Sequence, residues 1–161
     1  MLGKNLVRAV LAGAAVLGFT AVLVFDDILP AAADPVPDPI TVHVENDQVA
    51  KHDFGAPGLD VGDVDVFSDK LSQDGRQVGH DGGVCWFTNI AGPDSPITHC
   101  VLTIQFEEGQ IFAQGLGIHT TAPFDMTITG GTGRYAGLRG EITVSGVATP
   151  DEKYEIRFAK K

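Results

Sequence analysis

Basic residues are scarce in this chain: 11 Lys and Arg stand against 21 Asp and Glu over 161 residues, a formal net charge of −10. Without a basic face it cannot displace counterions from phosphates, so nucleic acid is excluded as a partner. The same deficit excludes electrostatic adsorption to anionic lipid. Cysteine is limited to Cys85 and Cys100, with no CxxC spacing, and His43, His52, His80, His99 and His119 are scattered. No metal site is therefore expected. There is no GxSxG, HExxH or P-loop, and no Asn-x-Ser/Thr sequon. After Asp34 no window of 11 residues carries a helical stripe of apolar residues. What remains is ordinary for a folded protein, with 43% apolar and 20% charged residues, and the length allows one domain.

The N-terminus has the organisation of an export signal. Lys4 and Arg8 form a basic region, Ala9 to Phe25 an uncharged apolar run of 17 residues, and Ala31-Ala32-Ala33 a small-residue end before Asp34. The expectation is a signal peptide over residues 1–33, a secreted protein beginning at Asp34, and no membrane association once the signal is cleaved. Removing 33 residues leaves 128 with the same net charge of −10, so the acidity belongs to the folded domain. Outside the cytoplasm an even cysteine count in a small domain reads as a disulfide, here Cys85 with Cys100.

Residues 34–39 (DPVPDP) form a Pro-rich lead-in to a domain over 40–161. From there apolar residues recur with a period of two, the pattern of half-buried strands. Ile40, Val42 and Val44 alternate with polar residues, as do Cys100, Leu102, Ile104 and Phe106, then Phe124, Met126 and Ile128, and finally Tyr154, Ile156 and Phe158. Strands are expected near 40–45, 63–67, 84–90, 99–106, 110–116, 124–129, 141–148 and 154–158. Eight short strands separated by turn residues suit an all-β closed antiparallel barrel or a sandwich. A barrel of about eight strands can hold a small ligand inside. The two cysteines fall on the arms of one expected hairpin, with Cys100 on the apolar face of its strand.

The stretch ITGGTGRYAG imitates a dinucleotide fingerprint, but it runs directly into the strand EITVSGV and leaves no room for the required helix. Nucleotide binding is rejected; these glycines are turn residues. The Asp series 60, 63, 65, 69, 74 lacks the order of an EF-hand loop. Glu107-Glu108 reads as a solvated hairpin tip.

Three segments occur in order: LDVGDVDVFSDKLSQDGRQVGHDGGVC, GQIFAQGLG and ITGGTGRYAGLRGEI. Together they resemble the allene oxide cyclase and dirigent superfamily, and more closely its small exported bacterial members of the allene oxide cyclase barrel-like type. The resemblance implies an eight-stranded antiparallel barrel with an apolar cavity, and a homotrimer as in the plant members. It implies a protein that needs no cofactor and encloses an apolar small molecule. Plant cyclases close a fatty-acid epoxide into a cyclopentenone; dirigent proteins orient reactive phenolic intermediates. Two functions follow from it: a cofactor-independent cyclase, isomerase or stereo-directing protein, or a non-catalytic barrel that binds lipid or another small molecule.

Three residues are candidates for acid–base chemistry. Asp125 sits between Phe124 and Met126, where burial would keep a carboxyl protonated. Glu45, on the first strand, corresponds most nearly to a cyclase Glu, one residue out of register, and would face the cavity only if Val42 and Val44 face outward. Arg139, before Gly140, matches the Arg-Gly ending of the dirigent Gly-rich motif and is the candidate cation near the barrel mouth.

Overall fold

The structure, a computed structural model, describes residues 35–90, 92 and 96–160. The expected signal peptide lies outside the described residues. Eight strands form a closed antiparallel barrel in chain order: β1 Ile40–His52, β2 Val64–Gln73, β3 Arg76–Asn89, β4 Ile97–Phe106, β5 Gly109–Ile118, β6 Phe124–Gly131, β7 Gly140–Ser145 and β8 Lys153–Phe158. Closure is made by β8 pairing with β1, with Val42 opposite Tyr154. The Gly-rich stretch becomes a single 3-10 turn over Gly133–Tyr135 between β6 and β7.

Where the period of two is clear in the sequence, it sorts the side chains as expected. Val42, Leu102, Ile104, Ile128 and Ile156 point inward and are buried, and the polar residues between them face outward. β2 and β3 depart from the expectation. They form one long hairpin across residues 68–83, which carry no apolar alternation. The turn is Asp74-Gly75, both with positive φ (52° and 73°), the conformation an Asp-Gly hairpin turn requires. Along β2 the inward positions are Asp65, Phe67, Asp69 and Leu71, while Val66 is exposed. Acids and apolar residues are mixed on the inward face there, so hydrophobic alternation shows the strand only near 63–67 and not its continuation to Gln73.

The two ends of the barrel differ. At the end holding the β2–β3, β4–β5 and β6–β7 connections, Leu71, Ile104, Phe106, Ile111, Ile128, Tyr135, Ile142 and Ile156 fill the interior. The lead-in is docked here too: Pro35 O accepts from Arg134 Nη2 at 2.7 Å, and Asp38 Oδ1 accepts from the Phe158 N–H at 3.1 Å. Glu108, at the β4–β5 tip, pairs with Arg134 at 3.3 Å. The opposite end is open.

Candidate functional site

The open end contains a cavity of about 350 Å³. That volume falls in the range of small-molecule sites. Its walls are mostly apolar: Phe67, Leu102, Phe124, Met126 and Val144 line it, together with the Cys85–Cys100 disulfide. The two cysteines are direct cross-strand partners on β3 and β4 and both are buried, as their places in the sequence led one to expect. Phe67 has room because Gly83 stands opposite it; a Cβ there would come within 2.4 Å of the Phe67 ring.

Against these walls stands a set of polar groups. Asp65 and Asp69 enter from β2, Asn46 from β1, His119 from the segment after β5, and Glu152 and Tyr154 from the start of β8. Glu152 is held by one oxygen: Oε2 accepts from Asn46 Nδ2 at 3.1 Å and from the Ala148 N–H at 2.7 Å. Asp69 Oδ1 accepts from the Asp47 N–H at 3.1 Å. Burial raises both carboxyls above the ordinary carboxylate range, against these hydrogen bonds. Each of the two is therefore a better base, and a more persistent acid, than an exposed carboxyl.

Behind Asp69 lies Asp81, only 2% exposed. Lys70 opposes His80 and Phe67 opposes Gly83, so Asp69 and Asp81 are cross-strand neighbours. Asp81 Oδ1 accepts the Asp69 N–H at 3.1 Å. Burial pushes Asp81 up to about 7, assisted by the charges of Asp69 and Glu152 and opposed by the Tyr154 phenol. Tyr154, 2% exposed, is itself raised well above the ordinary phenol value by burial and by the neighbouring carboxylates. The phenol therefore stays protonated and can act as a donor.

A second polar group lines the cavity. Asp65 Oδ2 is 3.1 Å from Lys51 Nζ and 3.6 Å from His119 Nε2. The His119 ring also meets the Phe87 ring edge-on at 5.0 Å. Burial lowers His119 below the ordinary imidazole value, with Asp65 pulling the other way. The neutral ring is then available as a hydrogen-bonding group.

The three residues singled out in the sequence are not brought together, and none of them lines this cavity. Because Met126 and Ile128 point inward, strand alternation turns Asp125 outward, where it is exposed and accepts from Thr143 Oγ1 at 2.7 Å. Because Val42 and Val44 point inward, Glu45 is likewise exposed on the outer face. Arg139 lies at the filled end rather than at the mouth, exposed, with its guanidinium donating to Leu138 O at 3.0 Å. The groups that do converge were passed over because a lone acid in a sequence reads as surface. The Asp74-Gly75 turn pairs β2 with β3, but counting back from it sets Asp69 across from His80; a bulge between Leu71 and Ser72 shifts the register by one and brings Asp81 there instead.

Comparison with known proteins agrees with this architecture. The allene oxide cyclase barrel-like domain matches residues 39–159. The structure of pyocyanin demethylase is 64% identical in sequence, with a TM-score of 0.72, and the match covers 75% of this chain and 99% of that one. A pterocarpan synthase dirigent protein shares the fold at 18% identity and a TM-score of 0.60, over 76% of this chain and 88% of its own. A Diels–Alderase from Streptomyces koyangensis does so at 19% identity and a TM-score of 0.57, over 73% and 58%. Among curated proteins no sequence matches. From its barrel, its cavity and the span of the match, the chain belongs to the allene oxide cyclase barrel-like family.

Proposed function

We propose that the protein is an N-demethylase acting on a flat, N-methylated aromatic of the pyocyanin class, by acid–base chemistry in the open-end cavity. The observation that carries this reading is the convergence of Asp69, Glu152 and Tyr154 on one apolar cavity, in a chain 64% identical to pyocyanin demethylase. Apolar walls take the ring faces, and the polar groups deal with the ring's heteroatoms.

The chemistry needs a base, an acid and an electron acceptor. A methyl group on a cationic ring nitrogen is acidified, and Glu152 takes one of its protons through Oε1, Oε2 being already held. The C–H electron pair moves into the ring, which is thereby reduced, while Tyr154 supplies a proton to the ring oxygen. Water then adds to the electrophilic methylene carbon. Cleavage of the C–N bond releases formaldehyde; the nitrogen keeps the pair and takes up a proton lost by the added water, and Glu152 returns its proton to the second nitrogen of the reduced ring. One water is consumed, and the ring is the oxidant.

The test is incubation of purified protein with pyocyanin, following loss of its visible colour and release of formaldehyde by mass spectrometry. Formaldehyde in proportion to pyocyanin consumed is the expected result. Pyocyanin that binds but is not consumed would end the demethylase reading and leave a binding barrel or a cyclase for another guest. We also read the protein as exported and cleaved after Ala33, which the Cys85–Cys100 disulfide supports, since such bonds persist in oxidising compartments. N-terminal sequencing of exported protein checks it. The homotrimer rests on the family resemblance, and light scattering decides it.

A further inference from the structure

Asp81 is a carboxyl that the mechanism above does not use, and its setting is unusual. It sits inward on β3 below the cavity, 2% exposed, and it does not line the cavity itself. Its Oδ2 is buried without a close hydrogen-bond partner. The barrel register sets Asp69 on β2 and the aliphatic Ile104 on β4 beside it, and Tyr154 on β8 and Glu152 just before β8 act on its charge from across the interior. Its Oδ1 takes the Asp69 N–H, and the Tyr154 phenol lies near enough to oppose the rise in its proton affinity. Asp69 also lines the cavity but meets Asp81 through its backbone N–H, so Tyr154 is the group whose side-chain proton lies between Asp81 and the cavity.

An orphaned oxygen on a buried carboxylate is costly, whereas a protonated carboxyl in the same place is far less so. Three acids around one phenol also repel one another when all are charged, so one of them holds a proton. The most enclosed of the three is Asp81.

We propose that Asp81 is the proton store of this site, a positioning residue that acts through Tyr154 and restores the phenol's proton during each turnover. The Tyr154 O–H bond breaks as an O–H bond forms on the bound molecule. The Asp81 O–H bond breaks as the Tyr154 O–H re-forms, leaving Asp81 as a carboxylate. When product leaves, hydronium from the solvent gives Tyr154 a proton and departs as water, and the phenol passes its own back to Asp81. Over one cycle a single proton enters from the solvent and a single proton reaches the substrate. This inference rests on the acid–base reading of the cavity.

Three measurements on the full chain test it. In Asp81→Asn, kcat for pyocyanin falls about 10- to 100-fold, a part of what general acid catalysis contributes, with KM little changed. Wild-type kcat is expected to decline as pH rises through neutrality, and the variant to lack that decline. Adding Asp81→Asn to Tyr154→Phe causes no further loss, because the store acts only through the phenol. Full kcat with an unchanged pH profile in Asp81→Asn, or independent losses in the double variant, would overturn the proposal. Infrared spectroscopy needs no turnover: a protonated-carboxyl stretch present at pH 6 and absent in Asp81→Asn is expected. An ionised Asp81 at that pH overturns the store whatever the substrate, whereas failure of pyocyanin turnover with the stretch present removes only the demethylase reading.

Discussion

The two ends of the barrel are built from the same eight strands and do opposite things. At the filled end the inward positions are almost all apolar, mainly Leu, Ile, Phe and Tyr, with Asp81 opposite Ile104 at the border with the cavity. At the open end the inward positions of the same strands are Asp65 and Asp69 on β2, Asn46 on β1, and Cys85 and Cys100 on β3 and β4. These are short or polar, so they leave a cavity and surround it with groups whose protons can move. Stability and chemistry are separated along the barrel axis. The filled end holds the closed sheet together, and this lets the open end carry buried carboxylates that would burden a smaller core.

The sharpest way to break that division is to alter one group at each end. Glu152→Gln keeps the size and the contacts to Asn46 and Ala148 but removes the base. Turnover should drop by about 10²–10⁴-fold while thermal stability holds or rises. Pyocyanin consumption and a melting curve on the same sample check both halves. At the other end, Ile104→Ala should show the reverse. Ile104 is fully buried, and loss of its side chain costs about 2–5 kcal/mol in a denaturant titration, with ligand affinity preserved in the protein that remains folded.

A third experiment uses pH. Asp81 is held at about 7 in the folded protein and titrates near the ordinary carboxylate value when unfolded. Between about pH 4 and pH 7 the folded state therefore binds a proton that the unfolded chain has released. Stability from this group is complete at the acid end of that window and is lost as pH rises through it. Asp81→Asn has no such titration, so its stability relative to wild type should climb by a few kcal/mol across the window. Denaturant midpoints at intervals of one pH unit measure it; a flat difference would mean that Asp81 is not raised. The smallest effects belong to the outer face. Asp125→Asn and Glu45→Gln should change stability by no more than about 0.5 kcal/mol and leave turnover intact. A large loss of turnover in either would move the chemistry out of the cavity.

How much of this was legible in the sequence depends on the strand. For β4, β6 and β8 the inward residues are apolar and the outward ones polar, so alternation alone places Ile104, Ile128 and Ile156 in the core. For β2 the inward face mixes Asp65 and Asp69 with Phe67 and Leu71 while Val66 is exposed, so the same rule misses the long hairpin and the site together. The failure is informative. A strand that turns carboxylates inward gives up burial energy, and a fold keeps such positions where something other than packing needs them. Asp125, between two apolar residues, is the mirror case: its neighbours are apolar because they face the interior, and that faces Asp125 away from it.

By itself the sequence determined eight short strands of an all-β domain, the disulfide and, through three segments that resemble a known family, the closed barrel. The strands and the disulfide rest on local periods, turn residues and cysteine count, which neighbours along the chain suffice to specify, whereas the barrel rests on the resemblance. Only the tertiary structure decided which end of the barrel is empty and which acids meet there. Asp69, Asp81, Glu152 and Tyr154 come from β2, β3 and the start of β8, as many as 85 residues apart in the chain. Their proton affinities arise from mutual burial, which exists only once the sheet has closed.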